Sequence, residues 1–160
     1  MANILKINTR TDYIEIGSSY TKDQAIGTMK NKLVLPAPKS IPFTSEFMVD
    51  ATRNAKAQMI LRQVGRTQYK GTLSWNALPC RKVWEINRWF EKHGYVFWIR
   101  YFCHPVGKVL VQQMYRGDMN AINPSTNQIK INGLSVPEKY FDYGFSIIDM
   151  GKKVYTEKTL

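Results

Sequence analysis

Only one segment of this 160-residue chain has its apolar residues at helical spacing. Residues 77–93 follow Asn76, a residue type suited to capping, contain Pro79 in the first turn, and end before Gly94, which suits a C-cap. The apolar face of this helix consists of Val83, Ile86 and Phe90, with Trp89 beside it. Elsewhere apolar and polar residues alternate in short runs, as they do in strands. The sequence therefore predicts a mainly β fold with one α-helix, an α+β class in which the helix packs on a sheet.

Nine short runs show the extended pattern expected of strands. They cover residues 4–8, 13–16, 33–35, 43–50, 59–64, 67–75, 95–103, 109–114 and 140–150. Turns at residues 9–12, 65–66 and 104–107 predict three hairpins between neighbouring runs. Residues 95–103 are apolar on both alternating faces, so they are predicted to form a central strand that is covered on both sides.

Polar segments separate these runs. Residues 17–32 and 119–138 are rich in glycine, lysine, asparagine or proline and are predicted to be long exposed loops, the second with a short extended piece at residues 129–131. Residues 50–55 are predicted to be a polar connection. The chain is therefore predicted to be one domain over residues 1–150, followed by a C-terminal tail over residues 151–160 that is flexible or ordered by a partner.

The residue types that most often carry catalysis or bind metals are sparse. His93 and His104 are the only histidines, Cys80 and Cys103 are the only cysteines, and none lies in a nucleophile, zinc or phosphate-loop motif. Both cysteines are predicted to be reduced and buried, as small apolar residues. We expect no enzymatic activity, no metal and no cofactor. A small hydrolase with an unrecognised active site is the alternative.

The sequence lacks the signals of membrane insertion and export. No run approaches the roughly 18 apolar residues that span a bilayer. The densest apolar stretch, residues 95–103, is interrupted by Arg100. The first residues lack the basic and apolar regions of a signal peptide. We therefore expect synthesis and folding in a cytoplasm, without membrane contact.

The chain is strongly basic. It has 23 lysines and arginines against 12 aspartates and glutamates, a formal charge of +11 with a pI near 9.7. The basic residues are scattered, with no block of five or more, whereas dedicated nucleic-acid binders concentrate them or interleave them with exposed aromatic residues. We therefore prefer contact with an acidic protein surface. A basic nucleic-acid-binding accessory protein is the alternative.

Several short motifs occur in a fixed order between about residues 4 and 150. They are Leu5-Lys6-Ile7-Asn8, Asp50 with Arg53-Asn54-Ala55 and Met59, Leu73-x-Trp75-x-x-Leu78, Phe97-x-Ile99-x-Tyr101, Pro105-x-Gly107, Tyr115-Arg116-Gly117-Asp118 and Phe145-x-Ile147-Ile148. In their order and spacing the chain resembles an uncharacterised family of tail-region proteins encoded by phages of Gram-positive bacteria. It departs from that pattern at His104, where the family has an acidic residue, and at Ala57, where it has a glycine.

The resemblance implies a tail-tube-like fold of two packed antiparallel sheets flanked by a single helix. It also implies a structural role in the virion, as part of the tail tube or of a ring at the tail–baseplate junction, made in the host bacterial cytoplasm. Such proteins form rings, commonly of six copies, in which the strand edges of neighbours pair, and they dock other tail proteins. DNA would pass through the channel with transient contact. We expect most of the positive charge to face outward or towards neighbouring proteins, because an inward-facing excess would hold the DNA.

The two long loops are the predicted contact surfaces between subunits, and Arg53-Asn54 is a predicted polar latch. The individual candidate contact residues are Gly17, Tyr20, Lys22, Lys30, Arg53, Asn54, Asn120, Asn127 and Lys130. The alternatives are plain solvated connections for the loops and, for Arg53-Asn54, a local turn closed by its own side chains.

Overall fold

Strands dominate the described part of the chain. This computed structural model describes residues 11–39, 43–46, 49–53, 55–63, 66 and 68–160. In chain order the elements are β1 (Ile14–Gly17), β2 (Ser19–Thr21), β3 (Thr28–Lys30), β4 (Leu33–Leu35), β5 (Phe43–Glu46), β6 (Val49–Arg53), β7 (Met59–Gln63), β8 (Gln68–Pro79), α1 (Cys80–His93), β9 (Val96–Cys103), β10 (Lys108–Met119), β11 (Asn123–Pro124), β12 (Gln128–Ile131), β13 (Leu134–Pro137), β14 (Lys139–Asp149) and β15 (Tyr155–Thr159). The prediction of a mainly β fold with one helix is confirmed.

Nine of the strands form one antiparallel sheet. Its main order is β4-β1-β9-β10-β14-β8-β5, with β11 paired to β14 and β15 paired to β10. The long strands β8, β10 and β14 each have hydrogen-bonded neighbours on both sides. These strands therefore form one continuous hydrogen-bonded sheet, whereas the prediction was two packed sheets. Three hairpins, β2–β3, β6–β7 and β12–β13, form separate two-stranded sheets.

The large sheet is strongly bent. The segment after β4 crosses to β8, where the Lys39 backbone N–H donates to the Ser74 carbonyl at 2.9 Å. Next to this bond, the Trp75 indole Nε1 donates to the Pro36 carbonyl, also at 2.9 Å. The first strand of the sheet order is thereby tied to its next-to-last strand, and the sheet curves around a core.

The core lies between the inner face of this sheet and α1. The fully buried side chains on the sheet include Ile14, Ile16, Leu73, Phe97, Ile99, Tyr101, Met114, Tyr143, Phe145 and Ile147. The helix contributes Val83, Ile86 and Phe90, as its 3.6-residue spacing predicts. The two cysteines are also buried and unpaired, so that prediction is confirmed.

The helix begins three residues later than predicted. Residues 76–79 continue β8, in which Leu78 and Pro79 pair with β14, so Asn76 is not the cap. Pro79 occupies the N-cap position with an extended ψ of 144°. The C-terminal prediction is confirmed, because Gly94 has φ 92° and its N–H donates to the Phe90 carbonyl at 2.7 Å.

Several predicted loops contain strands. Residues 17–32 hold the β2–β3 hairpin, residues 119–138 hold β11 and the β12–β13 hairpin, and residues 50–55 overlap β6. The predicted hairpin at residues 65–66 is wrong, since β7 pairs with β6, and β8 pairs with β5 and β14. These strands are short and lie among polar residues, glycines and prolines, so the composition of the segments indicated loops although the strands form ladders. The short extended piece predicted at residues 129–131 is confirmed as part of β12.

The predicted C-terminal tail also contains a strand. Within residues 151–160, β15 pairs with the first half of β10. The prediction was a flexible or partner-ordered tail, whereas here the buried side chain of Glu157 in β15 holds this segment to its own chain. The predicted strand at residues 4–8, and with it the first hairpin, lies outside the described residues.

Candidate assembly surfaces

A buried arginine links three strands on the outer face of the sheet. Arg100 of β9 lies directly opposite Glu15 of β1, and its Nη1 donates to the Glu15 carboxylate at 2.5 Å. Its Nε and Nη2 donate to the Glu157 carboxylate of β15 at 2.7 and 3.0 Å. These side chains are 4% exposed for Arg100, 6% for Glu15 and 2% for Glu157. The cluster of these three residues is called the Arg100 network below.

A break in strand register directs Glu157 into this network. Val109 pairs with Lys158, but the next residue of β10, Leu110, pairs with Thr156. Glu157 is therefore the extra residue of a β-bulge, a feature that commonly redirects a side chain. The redirected carboxylate reaches Arg100 across the outer face of the sheet.

The β2–β3 hairpin completes the cover over this network. The Tyr20 hydroxyl and the Gly27 backbone N–H both donate to the Glu157 carboxylate, at 2.7 and 2.8 Å. The Tyr20 ring also packs on the rings of Trp98 and Tyr155, with centroid distances of 5.5 and 5.3 Å. Tyr20, which we predicted to contact another subunit, is thus engaged within its own chain.

Gly17 is the second predicted contact residue that the chain covers itself. It ends β1 opposite Trp98 and is buried. A Cβ at this position would lie 2.0 Å from the Met29 side chain of β3. The glycine therefore allows the β2–β3 hairpin to lie directly against the sheet.

A second ion pair shapes the turn that leads into β15. Arg66 donates to both oxygens of Asp149, at 2.6 and 2.5 Å, and its Nε donates to the Lys152 carbonyl at 2.8 Å. The Asp149 carboxylate also accepts the backbone N–H groups of Tyr69 and Gly151, at 3.1 and 2.8 Å. The side chain of Asp149 is therefore a bridge between β14 and the turn.

The two carboxylates at β15 and its turn have shifted pKa values. Burial alone would raise the pKa of Glu157, but the hydrogen bonds from Arg100 and Tyr20 and the positive charge of Arg100 outweigh it and lower the pKa. Burial opposes ionisation of Asp149 as well, and the hydrogen bonds from Arg66, Gly151 and Tyr69 lower its pKa. Both groups therefore favour the folded state in their charged form.

This electrostatic pattern predicts acid destabilisation. A carboxyl group whose pKa is lowered by folding stabilises the folded state above its ordinary pKa, and this contribution is lost as the pH falls through the folded value. We expect the contribution to be complete near neutral pH and to decline below the ordinary pKa values of 4.5 for Glu157 and 3.8 for Asp149. Urea unfolding midpoints measured from neutral pH to about pH 3 will show the decline.

Two variants identify which carboxyl group causes the loss of stability in acid. Glu157→Gln removes one titrating group, so the midpoint should fall less steeply with acid than in the parent. Glu85→Gln changes an exposed carboxylate on α1 and serves as the matched control, with the slope of the parent. Equal slopes for Glu157→Gln and the parent would contradict the assignment.

The β12–β13 hairpin presents an aliphatic face. In its register Ile129 lies opposite Val136, and Ile131 lies opposite Leu134. Alternation along a strand places all four side chains on one face of the hairpin and Lys130 on the other. Leu134 is 69% exposed and Ile129 is 36% exposed. The set of Ile129, Ile131, Leu134 and Val136 is called the aliphatic face below.

The remaining predicted contact residues lie in both hairpins and in the strands around them. The Lys22 ammonium group donates to the nearby Ala25 carbonyl at 2.6 Å, and Lys30 ends β3 with an exposed side chain. The Asn120 side chain donates to the Asp142 carbonyl at 3.3 Å, and the Asn127 carbonyl accepts the Glu138 N–H at 2.9 Å.

The predicted polar latch is described only in part. Arg53 is the last residue of β6, and Asn54 lies outside the described residues. Of the nine predicted contact residues, Tyr20, Lys22 and Lys30 lie in the β2–β3 hairpin, and Gly17 lies at the end of β1 against it.

Neither of the two ion-pair networks was predicted from the sequence. Their signal was present, since Glu15 and Arg100 interrupt otherwise apolar strands and Asp149 continues the core-facing alternation of Phe145 and Ile147. A charged residue at such a position needs a buried partner of opposite charge. Pairing the three acids with two arginines requires contacts between distant segments, which composition does not contain.

Neither a metal site nor a membrane-spanning helix is found among the residues that the structure describes. No group of three or more His, Cys, Asp or Glu side chains in the described ranges could hold a metal ion. Within the same ranges, no helix combines the length and the apolar character that crossing a bilayer requires. His93 packs on the Trp89 ring, and His104 on the Phe102 ring.

Comparisons with known proteins add no relative. No family model, no curated protein and no solved structure matches the chain. The resemblance to phage tail-region proteins therefore stays a prediction that depends on the order of its short motifs.

Proposed function

We propose that this protein is a structural component of a bacteriophage tail, in the tube or at the tail–baseplate junction. It acts by assembling into a ring, with six copies as the working number, and by docking other tail proteins in the virion. The observation that carries the proposal is the aliphatic face of the β12–β13 hairpin. Leu134 and Ile129 of this face are exposed on a single chain, so the face suits burial against a neighbouring subunit.

The hairpin has little to stabilise it alone. Its two strands pair with each other in a separate sheet and not in the ladder of the large sheet. An isolated two-stranded hairpin is marginally stable in water, and an apolar face gains free energy when another surface covers it. Burial of Leu134 and Ile129 against a second subunit would supply what the hairpin lacks.

The ends of the large sheet offer a second means of assembly. Among the strands that the structure describes, β4 and β5 are the terminal ones in its main order. A terminal strand carries backbone donors and acceptors that a neighbouring copy can satisfy by continuing the ladder. Repeated head-to-tail pairing of this kind closes into a ring when the rotation between copies permits.

The charge distribution fits docking to acidic neighbours. The Arg100 network and the Arg66–Asp149 pair together hold two arginines and three carboxylates. This leaves 21 of the 23 basic residues, but only nine of the 12 acidic residues, outside these clusters. The rest of the chain is therefore more unbalanced than the total composition indicates, which favours contact with negatively charged protein surfaces.

The same excess of basic over acidic residues favours the second candidate function, which is binding of nucleic acid. Lysines and arginines bind phosphates with the release of counterions, so affinity falls steeply with added salt. A monomer that binds DNA with a steep salt dependence would support this candidate. Rings that form with increasing protein concentration would support the tail protein.

A Leu134→Ser variant tests the aliphatic face. We expect the protein concentration needed for half-assembly to rise about tenfold to a hundredfold, because burial of one leucine side chain contributes about 1.5–3 kcal/mol. The stability of the single chain should change little, since Leu134 is mostly exposed there. Sedimentation velocity over a concentration series, with negative-stain images of the largest species, measures the effect.

Gln128→Ser is the matched control, because Gln128 is exposed in the same hairpin but lies on its polar face. It should leave the assembly concentration of the parent unchanged. A parent protein that stays monomeric at every concentration, or equal assembly of Leu134→Ser and Gln128→Ser, would count against the proposal.

A further inference from the structure

We propose that the edge of β10 is a receptor for C-terminal strands, and that it accepts β15 from a second copy of this chain. Two copies would then join by exchanging this strand. The inference depends on the contacts of β15 and is independent of the viral role proposed above.

The receptor recognises both the backbone and the side chains of β15. Four residues of β10, from Lys108 to Val111, form the ladder, and the Leu160 N–H donates to the Gly107 carbonyl at 3.1 Å. The Glu157 carboxylate accepts four hydrogen bonds, from Tyr20, Gly27 and Arg100. This is a built carboxylate site, and charge-assisted bonds of this kind are the strong ones.

An aromatic contact adds a second recognition point. The Tyr155 ring packs against Tyr20 at 5.3 Å and against Trp98 at 6.1 Å between centroids. The receptor therefore distinguishes a strand with an aromatic residue two positions before a glutamate. Every copy of the chain carries both that strand and that receptor.

The partners of β15 are remote from it in the chain. Glu157 is 130 residues from Gly27, 137 from Tyr20 and 57 from Arg100. The strand reaches its own receptor only through the turn after β14, so the same bonds form when the strand comes from another copy. Exchange of identical elements in this way creates no new type of contact and is a low-cost route to assembly.

The conformation of the turn between β14 and β15 determines whether β15 pairs with β10 of its own chain or with β10 of a second copy. Gly151 has φ 73°, a conformation that other residues adopt only with strain. Arg66, Asp149 and the Lys152 carbonyl hold this turn closed. When the turn straightens, β15 leaves its own β10, and the buried Arg100 loses Glu157. A strand from a second copy restores that pair, so exchange is favoured by high protein concentration.

Two single-cysteine variants of the full chain test the exchange. Val109 and Lys158 lie opposite each other across the β10–β15 ladder. When a Val109→Cys chain is mixed with a Lys158→Cys chain, the two new cysteines can meet in this ladder only if the strand of one copy lies on the β10 of the other. We expect a disulfide-linked heterodimer on a non-reducing gel, in amounts that increase with protein concentration. The native cysteines Cys80 and Cys103 are buried.

The control mixture combines the Lys158→Cys chain with an Arg81→Cys chain, whose cysteine lies at an exposed position of α1. It measures random collision, and we expect at least tenfold less heterodimer. Equal yields from the two mixtures, or no heterodimer at any concentration, would overturn the proposal.

A glycine pair tests the role of the turn. Gly151→Ala, introduced into both chains, strains the closed turn and should raise the heterodimer yield by about an order of magnitude. Gly133→Ala places the same change at φ 84° in the β12–β13 hairpin, where a Cβ meets no other atom, and should leave the yield unchanged. If the Gly151→Ala chains do not fold, the mixture without this substitution still decides the proposal.

Discussion

An Arg100→Met variant should lose about 3–5 kcal/mol of its free energy of unfolding, because removal of the arginine leaves buried carboxylates without their partner. Glu15 and Glu157 would both remain in a nearly water-free site. Folded domains are stable by only about 5–15 kcal/mol in total. We therefore expect a large fall in the urea midpoint, measured by circular dichroism at neutral pH.

Two further variants separate this effect from a general loss of charge. Arg88→Met removes an exposed arginine of α1 and should change stability by less than about 0.5 kcal/mol. The double variant Arg100→Met/Glu157→Gln should recover part of the loss, because the neutral amide still accepts bonds from Tyr20 and Gly27. If the double variant loses as much free energy of unfolding as Arg100→Met, the loss comes from the packing of the arginine and not from the unpaired charge of Glu157.

A Phe90→Ala variant should be destabilised by a similar amount, about 3–5 kcal/mol, through the cavity that it creates. Phe90 is fully buried, and its ring meets Phe97 at 5.2 Å and Phe145 at 5.5 Å between centroids. The Arg116 guanidinium group lies 5.0 Å from the centre of the same ring. The variant therefore loses core packing and a cation–aromatic contact together.

Trp84→Ala is the comparison for this prediction, since Trp84 lies on the same helix but is partly exposed. It should cost clearly less than Phe90→Ala when both are measured in urea. Equal losses would indicate that α1 as a whole, and not its buried stripe, is the sensitive element.

The parts of the fold with a strong hydrophobic period were predictable. The helix face with Val83, Ile86 and Phe90 and the central strands β9, β10 and β14 follow from spacing alone. The start of the helix did not follow, because residues 76–79 suit a helix N-terminus as well as a strand. Pairing with β14, a contact across some 60 positions of sequence, decides in favour of the strand.

The sequence predicts a contact surface at residues 119–138 but not the aliphatic face within it. That face depends on the register of β12 and β13, which places its four side chains together. The strands β2 and β15 contain few apolar residues, so no hydrophobic pattern marks them. Both strands are held by the buried Glu157 carboxylate, and its donors Tyr20 and Gly27 reach it only in the folded chain.

The remote partners of Glu157 also affect the order in which the chain folds. The β9–β10 hairpin closes a short loop and can form early, whereas closing the Glu157–Gly27 contact costs the entropy of a loop of 130 residues. We expect that step to be late, and until it occurs the outer side of the hairpin, with Trp98 on it, has no cover. An uncovered surface of this kind favours aggregation during folding.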